Sequence, residues 1–182
     1  MLPLGHVAAG YLLSEGFLAL AQPAVSSNGA HWLLAIGVAA SFAPDLDMFL
    51  VFKKEGGLIH TGAKGNHRDS LSHVPLAWLA LGVAVAAIGQ NDFWRTAGDL
   101  LVIGSWSHFL LDSTDVGVRW LYPFDKRFFA FKNAGRPEKN SVRGFFPHWF
   151  NMLKQYWRRA PVTVIIETAL VVSAVWAMVT SR

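Results

Sequence analysis

The chain has 182 residues, of which 53% are hydrophobic and only 15% charged, against about 25% charged in an average soluble protein. It carries eight Trp, thirteen Phe and a formal net charge of +4, and the balance is that of a single membrane-embedded domain over 1–182. With no cysteine, disulfides and thiolate metal sites are excluded, and only His, Asp and Glu remain as ligands for a cation.

Five apolar stretches follow in chain order: Leu4–Ala21, Ala30–Ala43, Val74–Gly89, Thr96–Leu111 and Val162–Thr180. A spanning helix wants about 20 apolar residues, with about 17 as the floor. The first and last stretches qualify, the third nearly does, and the second and fourth are short. Short spans are accommodated by local bilayer thinning or by burial within a bundle. The first stretch does not read as a signal peptide, since Met1 to Leu13 holds no Lys or Arg and "ALAQPA" is a weak cleavage pattern. It reads as a retained helix carrying Glu15. The expected fold is therefore all-α, a polytopic helical bundle of four to five spans.

Basic residues give that bundle an orientation. Fourteen of the sixteen Lys and Arg fall in two alternate connections, 44–73 and 112–161. The positive-inside rule then makes both connections and the N-terminus cytoplasmic. Residues 119–161 interleave their charges with "RWLYPF", "RFFAF" and "GFFPHWF", as expected of a basic aromatic loop lying at anionic headgroups before the last span, 162–180.

The same topology gathers seven ionisable residues at the cytoplasmic ends of the spans. His6 opens the first, Asp45 and Asp47 follow the second, His67 and His73 precede the third, and His108 and Asp112 close the fourth. An ionised carboxylate in apolar surroundings is costly unless something pairs with it. His108 and Asp112 are four apart and share one helix face, a spacing that grips a cation. Asp69 and His73 repeat it if the third helix begins early. Asp45 and Asp47 are two apart: in an extended segment both face one side, and on a helix they diverge and one is a direct ligand. Histidines with several carboxylates and no thiol favour Zn²⁺, with Mn²⁺ or Fe²⁺ next, over Mg²⁺ or Ca²⁺. His31, His60 and His148 have no spaced carboxylate partner at that level, and Glu15 and Glu167 are intramembrane carboxylates with no obvious cation.

An N-terminal His, then "PDLD", then "HR…H", then "SHFLLDSTDVGVRWLYPF" resemble the membrane-bound, metal-dependent hydrolase family of bacterial inner-membrane proteins, one member of which is regulated by LexA. Ser107, His108, Leu110, Leu111, Asp112, Gly117, Pro123 and Phe124 match the last block, and the resemblance covers about residues 1–125. "HRDSLSHV" departs from the usual second block, with one residue more between its histidines. The family looks distantly similar to zinc-dependent phospholipases C, which implies that His108 and Asp112 are the helix pair of ligands and Asp45 or Asp47 the loop carboxylate.

The expected activity is hydrolysis of a phosphoester or related ester of a lipid or lipid-linked substrate at the cytoplasmic leaflet. Asp45 or Asp47 serves as base where it is not a ligand, and Arg68 as a bidentate phosphate partner. No nucleic-acid partner is expected. Two other classes fit the same residues: a non-catalytic membrane protein closed around a structural metal, and a transporter using the His and Asp cluster as an ion or proton path.

Overall fold

The computed structural model describes residues 2–47, 70–114, 117–131, 147, 150, 154, 157–158 and 161–180. His60, His67, Arg68, Asp69, His148 and most of the basic stretch between 132 and 160 lie outside the described residues. The described residues form five long helices: α1 (Pro3–Ala21), α2 (Ser27–Phe42), α3 (Pro75–Ile88), α4 (Asp92–Asp112) and α5 (Pro161–Thr180). Each of the five apolar stretches is thus a helix. No strand occurs among the described residues, which hold one isolated antiparallel bridge, Val118 with Phe129.

Helix ends follow local chemistry. Ser26 caps α2 by accepting from the Gly29 N–H at 3.1 Å, and Asn91 caps α4 by accepting from the Trp94 N–H at 3.1 Å. Pro3 and Pro75 sit in the first turns of α1 and α3, where a missing N–H costs nothing. Pro44 cannot continue the hydrogen-bond ladder of α2, and a 3₁₀ turn, Ala43–Leu46, takes over.

Two of the helices, α1 and α5, are long and apolar enough to cross a membrane. The apolar α3 has 14 residues, about 21 Å of helix against a hydrocarbon core of about 30 Å. The 16 residues of α2 are similarly short, and α4 carries Asp92, Arg95 and Asp99 in its first half. Five helices therefore stand where five spans are expected, but by length and composition two of them qualify as spans.

Helix α4 is the centre of the bundle, packed against α1, α2 and α3, while α5 lies against α1. Small residues permit the closest approaches. A side chain at Gly104 of α4 would strike the Gly37 carbonyl of α2, and Gly82 and Gly98 meet backbone to backbone between α3 and α4. Leu33, Ala97 and Leu100 form the apolar core beneath these crossings. Downstream of α4, segment 117–131 folds back on its C-terminal end. The Gly117 N–H donates to the Asp112 carbonyl at 3.1 Å, the Phe131 N–H to the Ser113 carbonyl at 2.7 Å, and Trp120 Nε1 to Ser113 Oγ at 3.0 Å. Gly117 has φ 89°, in the left-handed region, and a Cβ there would come within 2.7 Å of the Phe129 carbonyl oxygen.

Candidate metal centre

Four elements converge at one end of the bundle. α1 brings His6 near its start, the turn after α2 brings Asp45 and Asp47, the 3₁₀ turn Leu71–His73 brings His73, and the last turn of α4 brings His108 and Asp112. The three histidines are fully buried and Asp112 is 1% exposed. The i, i+4 spacing of His108 and Asp112 puts His108 Nε2 3.6 Å from Asp112 Oδ2, while the other Asp112 oxygen lies 3.5 Å from His6 Nε2. The rings of His6 and His108 stack at 3.9 Å. Asp45 Oδ1 faces two histidines at once, 3.4 Å from His73 Nε2 and 3.6 Å from His108 Nε2.

These N···O separations decide what the cluster is suited to. Good N–H···O hydrogen bonds are about 2.7–3.2 Å long, so contacts of 3.4–3.6 Å are poor ones. Metal–ligand bonds of about 2.0–2.1 Å at tetrahedral angles, however, set ligand atoms about 3.3–3.4 Å apart. His6 uses neither ring nitrogen, and His108 does not use Nε2, in a hydrogen bond among the described residues, although these atoms are buried. A buried polar atom left this way calls for a partner. Two overlapping triads result, His6–His108–Asp112 and Asp45–His73–His108, each with its ligand atoms within 4.8 Å of one another.

Outer contacts set the tautomers. His108 Nδ1 lies 2.9 Å from the Ser41 carbonyl, which can only accept, so Nδ1 carries the proton and a neutral His108 offers Nε2 alone. On His73, Nδ1 lies 3.4 Å from Asp47 Oδ2 and 3.2 Å from Ser72 Oγ. The same Asp47 oxygen accepts from Ser70 Oγ and, at 2.8 Å, from Ser72 Oγ. Trp78 Nε1 pins this turn by donating to the Ser72 carbonyl at 2.8 Å.

The two aspartates diverge because they sit on 3₁₀ geometry rather than on an extended chain. Asp45 points to the Nε2 side of His73 and Asp47 to its Nδ1 side. α3 begins at Pro75, so His73 belongs to the turn before it, and the early start that would align it with Asp69 does not occur.

Charge is balanced locally. Burial opposes ionisation of Asp45, but the facing His73 and His108 outweigh it and hold the carboxyl well below the usual carboxylate range. Asp47 is also lowered, burial again being outweighed by His73, Ser70 and Ser72. Burial alone would lower the pKa of His73, and the two carboxylates flanking it raise it instead.

Of the seven expected ligands, five fall in the two triads, Asp47 stands behind His73 Nδ1, and His67 lies outside the described residues. Sequence reasoning did not single out Ser41, Ser70 and Ser72. Their alcohols and carbonyls orient the clustered side chains through contacts between elements, which no spacing rule encodes. Glu167 has a different partner altogether, the start of α1: its Oε1 accepts from the Gly5 N–H at 3.2 Å and its Oε2 from the Leu2 N–H at 3.4 Å.

No curated protein and no solved structure matches the chain. A family model does, over residues 1–182, and its description agrees with the apolar composition and the two membrane-length helices: the chain belongs to the YdjM inner membrane protein family.

Proposed function

We propose that this inner-membrane protein is a metal-dependent hydrolase acting on a phosphoester of a lipid or lipid-linked substrate. The observation that carries this reading is the convergence of three buried histidines with Asp45 and Asp112 at separations that suit cation ligation better than hydrogen bonding. Because His108 has one free ring nitrogen, its two triads cannot be filled independently, and the described residues form a cage for one cation. Zn²⁺ fits the imidazole-rich donor set best, with Mn²⁺ or Fe²⁺ next.

The residues divide the work. His6, His108 and Asp112 anchor the cation from the buried side, and Asp45 completes the cage from the side facing solvent. His73, with Asp47 behind Nδ1 and Nε2 turned inward, has the arrangement of an oriented general base. With Asp45 drawn to the cation and its pull on His73 removed, the neutral imidazole would take the proton from the attacking water and return it to the leaving oxygen. A cation held here would lower the pKa of a coordinated water toward about 7 and polarise the phosphoryl oxygen.

The membrane placement follows from charge. Fourteen of the sixteen Lys and Arg fall in the two connections, 44–73 and 112–161, whose ends carry Asp45, Asp47, His73 and Asp112, which supports a cytoplasmic N-terminus and site. The short α2 and α3 then cross a locally thinned bilayer, completing a five-span bundle. In segment 117–131, Leu121, Phe124, Phe129 and Phe131 are exposed, as suits a headgroup-level surface beside the site.

The test is hydrolysis of lipid phosphomonoesters and phosphodiesters in anionic vesicles by the purified protein, stripped with EDTA and reloaded with Zn²⁺ or Mn²⁺. Turnover that depends on the added metal is expected. A protein that binds the metal yet hydrolyses no ester in the panel contradicts the enzymatic reading and leaves a structural metal site.

A further inference from the structure

Glu167 is a buried carboxyl group that the proposed chemistry does not use. It lies on α5, which packs on α1 through a narrow stripe of Thr163, Glu167 and Ala174 and leaves most of its surface exposed. At the other end of this contact, α1 has no cap of its own. Leu2, at its N-cap position, makes no side-chain capping bond, and no acidic residue occupies the first turn. The first N–H groups of a helix have no partner within it. Glu167 supplies a side-chain acceptor from a helix more than 160 residues away in sequence, taking the Leu2 N–H at 3.4 Å and sharing the Gly5 N–H, at 3.2 Å, with the Leu2 carbonyl at 3.1 Å.

A second feature shows that the contact is built in. A Cβ at Gly5 would lie 2.9 Å from Glu167 Cγ and 3.0 Å from its Oε1, so the carboxylate reaches the α1 backbone because position 5 is glycine. The next residue is His6, whose ring stacks on His108 and faces Asp112. The first turn of α1 therefore has a ligand-bearing residue on one side and the Glu167 carboxylate on the other.

We infer that Glu167 is a positioning residue for His6, clamping the first turn of α1 so that the imidazole reaches the cluster, and that the C-terminal helix is in this way part of the site. The positioning itself rests on contacts between protein atoms, whereas its consequence for metal binding rests on the function proposed above. Loss of a group that orients a metal ligand typically weakens affinity by about 10–100-fold.

The experiment compares wild type, Glu167→Ala, Glu167→Gln and the neighbouring packing variant Thr163→Ala, all checked for folding by circular dichroism. The first readout is the imidazole NMR signals in metal-free protein, and the second is Zn²⁺ affinity with the visible spectrum of Co²⁺-loaded protein. Glu167→Ala should move the His6 ring signals, weaken Zn²⁺ binding by about tenfold or more and alter the Co²⁺ spectrum. Glu167→Gln, which keeps an acceptor oxygen, should recover most of each change, and Thr163→Ala should change none. His6 signals that stay in place in a folded Glu167→Ala protein overturn the inference. A wild type that binds neither metal, with the His6 signals still responding to Glu167→Ala, would overturn the metal site and support the clamp.

Discussion

The two halves of the cluster differ in how far water can reach them. His6, His108 and Asp112, carried by the long helices α1 and α4, are sealed, the two histidines at 0% and Asp112 at 1% exposure. Asp45 and Asp47, carried by a short 3₁₀ turn, keep 14% and 10% of their side chains accessible, and the fully buried His73 sits between them. Rigid helices suit residues that must hold an ion in fixed geometry, and turns at the bundle surface suit residues that must meet a substrate. A purely structural site has its coordination filled by protein, whereas a catalytic one keeps an open position. The asymmetry thus supports a holding half and a working half, and a variant in each half should have a different signature.

The larger effect is expected in the working half. His73→Gln should leave the bound metal in place while hydrolysis falls by about 10²-fold or more, the usual contribution of a positioned base. Metal content and turnover measured on the same preparation check this. Equal loss of both would make His73 an anchoring ligand and erase the proposed division.

The smaller effect concerns the working half without metal. The pKa of His73 is raised by Asp45 and Asp47, so its ion pairing contributes fully to stability below the unfolded value of about 6.5. That contribution is lost as pH rises through the higher folded value. Thermal unfolding of the metal-free protein should therefore show Tm falling by about 2 °C or more as pH is raised above about 6.5, with a flatter profile in His73→Gln. A metal-free wild type whose Tm is constant or rising over that interval would show that His73 is not held protonated between the two carboxylates.

Much of this arrangement is legible in the sequence because helices announce themselves by apolar length and their ends by Pro and capping residues. Leu4–Ala21 and Val162–Thr180 are found as Pro3–Ala21 and Pro161–Thr180, each within a residue. His108 and Asp112 are paired by spacing alone, and the distribution of Lys and Arg by itself brings His6, Asp45, Asp47 and His73 to the same level. The separate duties of Asp45 and Asp47 are not legible, because they depend on whether Pro44 leads into an extended chain or a 3₁₀ turn. Nor is the partner of Glu167. Its isolation in an apolar stretch signals that something must satisfy it, but the acceptor role at Leu2 and Gly5 arises only when α5 docks on α1.

The central claim is that the sealed half holds a cation, and elemental analysis of the purified protein beside Asp112→Ala tests it most directly. Both proteins would be reloaded with Zn²⁺ or Mn²⁺, freed of excess metal and checked for intact helicity. About one equivalent is expected in the wild type and less than about a tenth of that in the variant, since the variant removes the carboxylate that faces both His6 and His108. A wild type that retains no metal, or a folded variant that retains as much as the wild type, would contradict it.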